Sequence, residues 1–228
     1  MMGRLFSLAA IILVAVTALF APPALAITVW TDWTSASVGA PGSAAGTLNG
    51  VGVTYSGETD GAVTNGTTSI WGPDSSFIGG TSTASPSTVK DDIRLNGSFT
   101  GVDTITFASP IVDPLFAIWS LGSPSIDATF TFVQTPTFEA GGPNSIYGGS
   151  AISVVGNVVS GREGNGVVQF TGTFSSLSWT NSYEIYYAFT VGTAGTTTPV
   201  VPEPATMLLL GSGLIGLAGY GREKFFKK

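Results

Sequence analysis

The chain has 228 residues, 43% of them hydrophobic and only 10% charged, with 31 Gly and 13 Pro, a composition that permits one packed domain and favours short strands and turns over helices. It contains no Cys and no His, which excludes a disulfide framework, Cys/His metal sites, cysteine nucleophiles and every Ser-His-Asp arrangement. Of the 8 Lys and Arg and 14 Asp and Glu, the terminal segments hold five and two, leaving three bases (Lys90, Arg94, Arg162) against 12 acids, a net charge of −9 that excludes nucleic-acid binding, which needs a basic surface.

In chain order, residues 1–26 read as a secretory signal peptide. Arg4 supplies the positive start, residues 5–20 an apolar run, Pro22 and Pro23 a helix break, and Ala24-Leu25-Ala26 the small-x-small site that precedes cleavage. The mature protein is expected to begin at Ile27. Residues 27–191 predict an all-β domain, a sandwich or jelly roll, with strands over 28–33, 51–55, 93–99, 103–107, 115–119, 128–133, 152–155, 167–174, 177–179 and 184–191. Ile105 and Phe107 fall on one face and Thr104 and Thr106 on the other, and Phe130 and Phe132 repeat that alternation. In the last strand Ile185, Tyr187 and Phe189 are expected to share the core face. Asn49-Gly50, Asn65-Gly66 and Asn96-Gly97 are turn signals, the third interrupting a strand. Residues 39–50 and 79–89 hold few large apolar side chains and are expected to be loops.

Residues 192–200 are Gly- and Thr-rich and uncharged, as a flexible linker would be. There follow Val201-Pro202-Glu203-Pro204-Ala205-Thr206, an apolar helix over 207–220, and a basic end carrying Arg222, Lys224, Lys227 and Lys228. The two prolines hold an extended segment outside the helix, with Glu203 as its charged handle, and the basic cluster retains the helix end in the cytoplasm. Residues 205–220 would span about 24 Å as a helix, short of the roughly 30 Å hydrocarbon core, which suits a transient single membrane-spanning signal better than a permanent anchor. Gly211-Ser212-Gly213-Leu214-Ile215-Gly216 matches a dinucleotide fingerprint but lies inside this apolar helix, without the acidic residue about twenty positions on that such a site needs. Residues 201–228 resemble the PEP-CTERM sorting domain of Gram-negative bacteria. The resemblance implies export, recognition of Pro202, Glu203 and Pro204 by a membrane-embedded exosortase, transient inner-membrane residence, and a destination at the cell surface or in the exopolysaccharide matrix; signal peptidase would be the partner at the other end.

No residue pattern in the middle declares chemistry. Asp91 with Asp92, or Glu163 with Glu184, supply the carboxylate pairs that a glycoside hydrolase would need. Asp60, Asp74, Asp91 and Asp92 lie near polar loops and are the candidates for a structural calcium site; no other cofactor is implied. Trp71, in Ile70-Trp71-Gly72-Pro73-Asp74, and Tyr147, before Gly148-Gly149, have loop contexts suited to stacking on sugar rings, whereas Trp30, Trp33, Trp119 and Trp179 fall in strand-like runs and are expected in the core. The expectation is a non-catalytic structural or adhesive surface protein, with a carbohydrate-binding module as the alternative and a carboxylate-dependent hydrolase as the third reading.

Overall fold

The computed structural model describes residues 26–195 and 211–213. The expected signal peptide up to Leu25, including Ala24, the Pro202-Glu203-Pro204 motif, most of the apolar helix, and the tail residues Arg222, Lys224, Lys227 and Lys228 lie outside the described residues. Residues 26–195 are all-β. The strands are β1 (Thr28–Trp30), β2 (Asp32–Ser37), β3 (Gly39–Leu48), β4 (Val51–Thr59), β5 (Gly61–Val63), β6 (Asp92–Leu95), β7 (Asp103–Val112), β8 (Leu115–Leu121), β9 (Ala128–Phe132), β10 (Thr137–Gly141), β11 (Ser150–Ala151), β12 (Ser153–Val155), β13 (Val158–Gly161), β14 (Gly164–Gln169), β15 (Thr173–Asn181) and β16 (Tyr187–Ala194). Sheet A runs β10-β14-β8-β16-β6-β5, with β1 beside β16 and β11 beside β14; sheet B runs β12-β13-β9-β15-β7-β4-β3-β2. Every pairing is antiparallel except the two-residue β11–β14 contact.

The two sheets face each other across one aromatic core. Phe116 of sheet A meets Phe130, Phe132 and Trp179 of sheet B edge-on at centroid distances of 5.8, 5.2 and 5.0 Å, and stacks on Phe189 of its own sheet at 5.1 Å. Tyr55 of β4 stacks on Trp179 and meets Phe189 across the sandwich. Each such pair adds about 0.5–1.5 kcal/mol to the burial of its rings. The alternation of β7 and β9 places Ile105, Phe107, Phe130 and Phe132 in this core, as the sequence predicts.

Sheet A is apolar on its other face too. All seven residues of β8 are buried, because Phe116 and Ile118 point into the sandwich while Leu115, Ala117 and Trp119 join a second cluster on the outer face. That face is covered by residues 64–91, the long connection between β5 and β6, whose Ile70, Trp71 and Phe77 pack on Trp30, Trp119 and Val167. The cover has little regular structure, two 3-10 turns at Asp74–Ser76 and Pro86–Thr88, and is pinned by hydrogen bonds. Trp30 Nε1 donates to the Ala84 carbonyl at 2.8 Å and Trp71 Nε1 to the Asp91 carbonyl at 2.9 Å. Asp91 accepts from the Trp33 and Gly66 backbone N–H groups, tying the end of the cover to β2.

Several elements differ from the sequence expectations. Residues 28–33 form two strands: β1 pairs with β16 in sheet A and β2 with β3 in sheet B, and the chain crosses between sheets at Thr31, whose N–H and hydroxyl both donate to the Val191 carbonyl. Residues 39–48, expected to be a loop, are β3, the strand with the most extensive pairing to β4; at Gly42 and Gly46 a Cβ would run into the backbone of β2. Asn49 and Gly50 both have positive φ, 50° and 80°, and join β3 to β4 as a tight hairpin turn. The expected strand over 93–99 stops at Leu95, where Gly97 turns with φ 73°. β16 runs three residues beyond Val191 into the expected linker, because Gly192, Thr193 and Ala194 pair with Trp30, Val29 and Thr28. Its start is also later than expected: Ile185 precedes the strand and is 67% exposed, so only Tyr187 and Phe189 reach the core.

A buried polar network closes one end of the sandwich. Glu58 accepts from the backbone N–H groups of Asn96, Gly97 and Ser98 and from the Ser98 hydroxyl. Asp103, fully buried, accepts from the Glu58 N–H at 2.7 Å. Tyr55 Oη lies 2.5 Å from the Glu58 carbonyl and 2.6 Å from Asp103 Oδ1. A phenol has one proton, so both contacts are hydrogen bonds only when Asp103 is itself protonated. Burial pushes the Asp103 carboxyl up to about 6, against the lowering effect of its Tyr55 and Glu58 bonds. A raised carboxyl stabilises the fold below its ordinary pKa, and that stabilisation is lost as pH rises through about 6. Asp91 and Glu184, raised by burial, act in the same direction. The Asp103→Asn variant should therefore lose about 2–3 kcal/mol of the decline in stability between pH 4 and pH 7. Chemical denaturation across that range checks this; an unchanged pH slope would refute it.

Candidate functional site

Where the cover ends, the outer face of sheet A carries an aromatic patch. Trp119 of β8 forms its floor. Its ring meets Tyr147 at 5.5 Å and Tyr186 edge-on at 5.6 Å. Trp119 is buried, and its Nε1 has no hydrogen-bond partner. Tyr147 is 56% exposed, and Tyr186, in the approach to β16, is half-buried. The Arg94 guanidinium of β6 lies 5.6 Å from the Tyr186 ring centroid and is held there by Asp92, 2.8 Å away.

The loop that presents Tyr147 is built by two buried amides. Asn144 Oδ1 accepts from the N–H groups of Ile146 and Tyr147 at 2.8 and 2.6 Å, bending the chain back on itself. Asn144 Nδ2 donates to Asn165 Oδ1, which also accepts from the Ser120 N–H. Asn165 Nδ2 donates to the carbonyls of Glu163 and Gly148. The Ser145 N–H reaches the Gly72 carbonyl of the cover. Gly148 and Gly149 both have left-handed φ, 73° and 76°; a Cβ on Gly149 would lie 2.0 Å from the Glu163 carbonyl oxygen, whereas Gly148 faces open space. Glu163 is consequently fixed beside the loop, its carboxylate accepting a short hydrogen bond from the Ser120 hydroxyl.

The patch is acidic. Burial pushes Glu184 up, the N–H groups of Tyr186 and Ile185 oppose that, and the nearby charge of Glu163 adds to it. Asp60, Asp92 and Tyr147 all lie close enough to Tyr186 to raise its phenol further, after burial as the main cause. Asp60 and Glu163, with accessible surface, and the buried Asp92 and Glu184 thus lie near the patch, with Arg94 paired to Asp92.

Of the residues expected to bind ligand, Tyr147 stands in this patch and Trp71 does not. Trp71 is 1% exposed, meets Phe77 edge-on at 5.3 Å, and is a core residue of the cover. A depression of about 330 Å³ beside it, lined by Thr68, Asp74 and Lys90 among others, therefore offers no open ring face. The four aspartates expected to hold calcium are not brought together: among the described residues no three Asp or Glu converge on a common point. Asp60 accepts from Asn96, Asp74 from Ser87, Asp91 from backbone, and Asp92 from Arg94. The Asp91–Asp92 pair is thereby spent on structure, while Glu163 and Glu184 do come into electrostatic reach of each other. Trp119, Tyr186, Arg94, Asn144 and Asn165 complete the site without having been expected there. The period-2 pattern could have flagged Trp119, which shares an outward face with Leu115 and Ala117.

At the other end of the chain, residues 200–222 match the PEP-CTERM protein-sorting motif. No curated protein and no solved structure matches the chain. The motif implies an exported surface protein addressed to an exosortase for processing.

The contrast between the two aromatic residues is measurable. Trp71→Ala should cost about 3–5 kcal/mol by opening a cavity under the cover, whereas Tyr147→Ala should cost less than about 1 kcal/mol as an exposed substitution. Urea denaturation of both variants checks this; equal losses would contradict the assignment.

Proposed function

We propose that the chain is an exported surface or matrix protein that adheres to polysaccharide without cleaving it. One observation carries this reading: Tyr147 presents an exposed ring on a loop that buried amides hold in place, next to Trp119, Tyr186 and hydrogen-bonding carboxylates. A flat ring backed by rigid packing and rimmed with polar groups is how proteins bind the apolar faces of sugars. Glu163 and Glu184 support a positioning role better than proton transfer. Glu163 holds the Ser120 hydroxyl, and Glu184, 4% exposed, accepts from the Tyr186 N–H of its own loop. The sorting motif, by addressing the domain to the cell exterior, supports this reading.

A purely structural role is the second reading, favoured by the outer face of sheet B. There Ser37, Ser43, Ser56, Thr104 and Ser178 stand in register across five strands, an uncharged row of hydroxyls suited to packing in a matrix.

Retention of the full chain, purified in mild detergent, on immobilised exopolysaccharide of the host separates the two. Saturable retention that falls at least about tenfold (about 1.4 kcal/mol) in Tyr147→Ala supports adhesion through the patch; no retention leaves the structural role. Processing is tested independently by mass spectrometry of surface protein. In a host with an exosortase the abundant form should lack residues 222–228, and finding them intact there would mean the tail serves only as an anchor.

A further inference from the structure

We propose that the patch around Tyr147 and Tyr186 selects a glycan carrying free amino groups, a hexosamine polymer at least partly lacking N-acetyl substituents. The inference rests on the adhesive reading above and specifies its ligand.

Charge decides the class. Glu163 lies against Gly149 of the Tyr147 loop and Asp60 beside Asn96, both with accessible surface; Asp92 and Glu184 are buried, and the only base in the group, Arg94, is already paired with Asp92. Elsewhere in the described domain Arg162 is paired with Asp127, and Lys90 lies on the cover beside the separate depression. A uronate-rich polymer would bring like charge to this surface with no base free to receive it. A neutral glycan would be tolerated. An ammonium group would gain twice, from the carboxylates and from the aromatic faces, whose negative quadrupole attracts cations.

The patch contains an example of that second interaction. The Arg94 guanidinium lies over Tyr186 with a carboxylate at its edge, so a cation, a ring and a carboxylate already form one unit. Tyr147 repeats two of the three parts without the cation. Its ring is exposed, and Glu163 is held beside the same loop by the close approach of Gly149 and by Ser120. An ammonium on a bound sugar would supply the missing part. Beneath these two rings the buried Nε1 of Trp119 has no hydrogen-bond partner, a costly state for a buried donor.

The test uses the full chain in mild detergent and four probes in titration calorimetry: a β-1,4-glucosamine hexamer, its fully N-acetylated counterpart, cellohexaose and oligogalacturonate. The glucosamine hexamer should bind at least about tenfold more tightly than cellohexaose, and that preference should shrink as salt rises from about 0.05 to 0.5 M, because screening weakens the ionic part alone. Glu163→Gln, which keeps an acceptor for Ser120, should remove most of the preference for the glucosamine hexamer over cellohexaose. Equal binding of the amine and neutral hexamers would overturn the inference and leave adhesion to neutral glycans standing. Binding of none of the four would overturn both. Tightest binding of oligogalacturonate would refute the charge argument outright. Should Glu163→Gln fail to fold, the salt dependence of the unmodified chain decides alone.

Discussion

Sheet A is apolar on both faces, and most of the domain's design follows from that. A seven-residue strand with every side chain buried, β8, cannot stand at a solvated surface. One of its faces is satisfied by sheet B, through Phe116 and its ring partners. The other requires a second layer, and a domain with so few helical signals supplies it with irregular chain, residues 64–91. Irregular backbone can be laid over an apolar face only if its polar groups find partners, hence the indole-to-carbonyl bonds from Trp30 and Trp71 and the two backbone N–H groups received by Asp91. Large side chains such as Trp71 and Phe77 then contribute about 1.5–3 kcal/mol each by burial.

The candidate site is a consequence of where that layer stops. Trp119 belongs to the covered cluster, yet two of its ring neighbours are residues that reach solvent, Tyr147 and Tyr186. The loop carrying Tyr147 is joined to the cover through Ser145 and Gly72 and to the sheet through Asn144 and Asn165. It is thus fixed from both sides before any ligand arrives, and little ordering entropy remains to be lost on binding. The carboxylates divide by role: Glu58, Asp91 and Asp103 are consumed in holding turns and Asp92 in holding Arg94, whereas Asp60 and Glu163 keep accessible surface. An acidic domain whose two arginines are held in ion pairs disfavours polyanionic partners.

Much of this was legible in residue order. The alternation in Thr104-Ile105-Thr106-Phe107 identifies β7, and the apolar run 115–119 identifies β8, whose burial on both faces appears only in the structure. The tail motif was readable from Pro202, Glu203 and Pro204 with the apolar and basic segments after them, since its recognition depends on local sequence alone. What escaped depends on contacts between distant residues. β3 is poor in large apolar side chains and reads as a loop; it is a strand because β2 and β4 flank it and because Gly42 and Gly46 leave room for their backbones. Trp71 has a loop's neighbours but a core's surroundings, because the loop is a cover. Asn165 gives no local sign of its bond to Asn144, 21 residues earlier in the chain, and the raised pKa of the Asp103 carboxyl follows from its burial, not from its neighbours in sequence.

Polysaccharide bound at the margin of the cover on sheet A would protect the Tyr147 loop. In hydrogen exchange of the full chain with and without the glucosamine hexamer, exchange should slow at residues 144–149 and 184–186, with the strands of sheet B unchanged. Protection confined to β2, β3 and β4, or none at the Tyr147 loop under saturating hexamer, would contradict binding there.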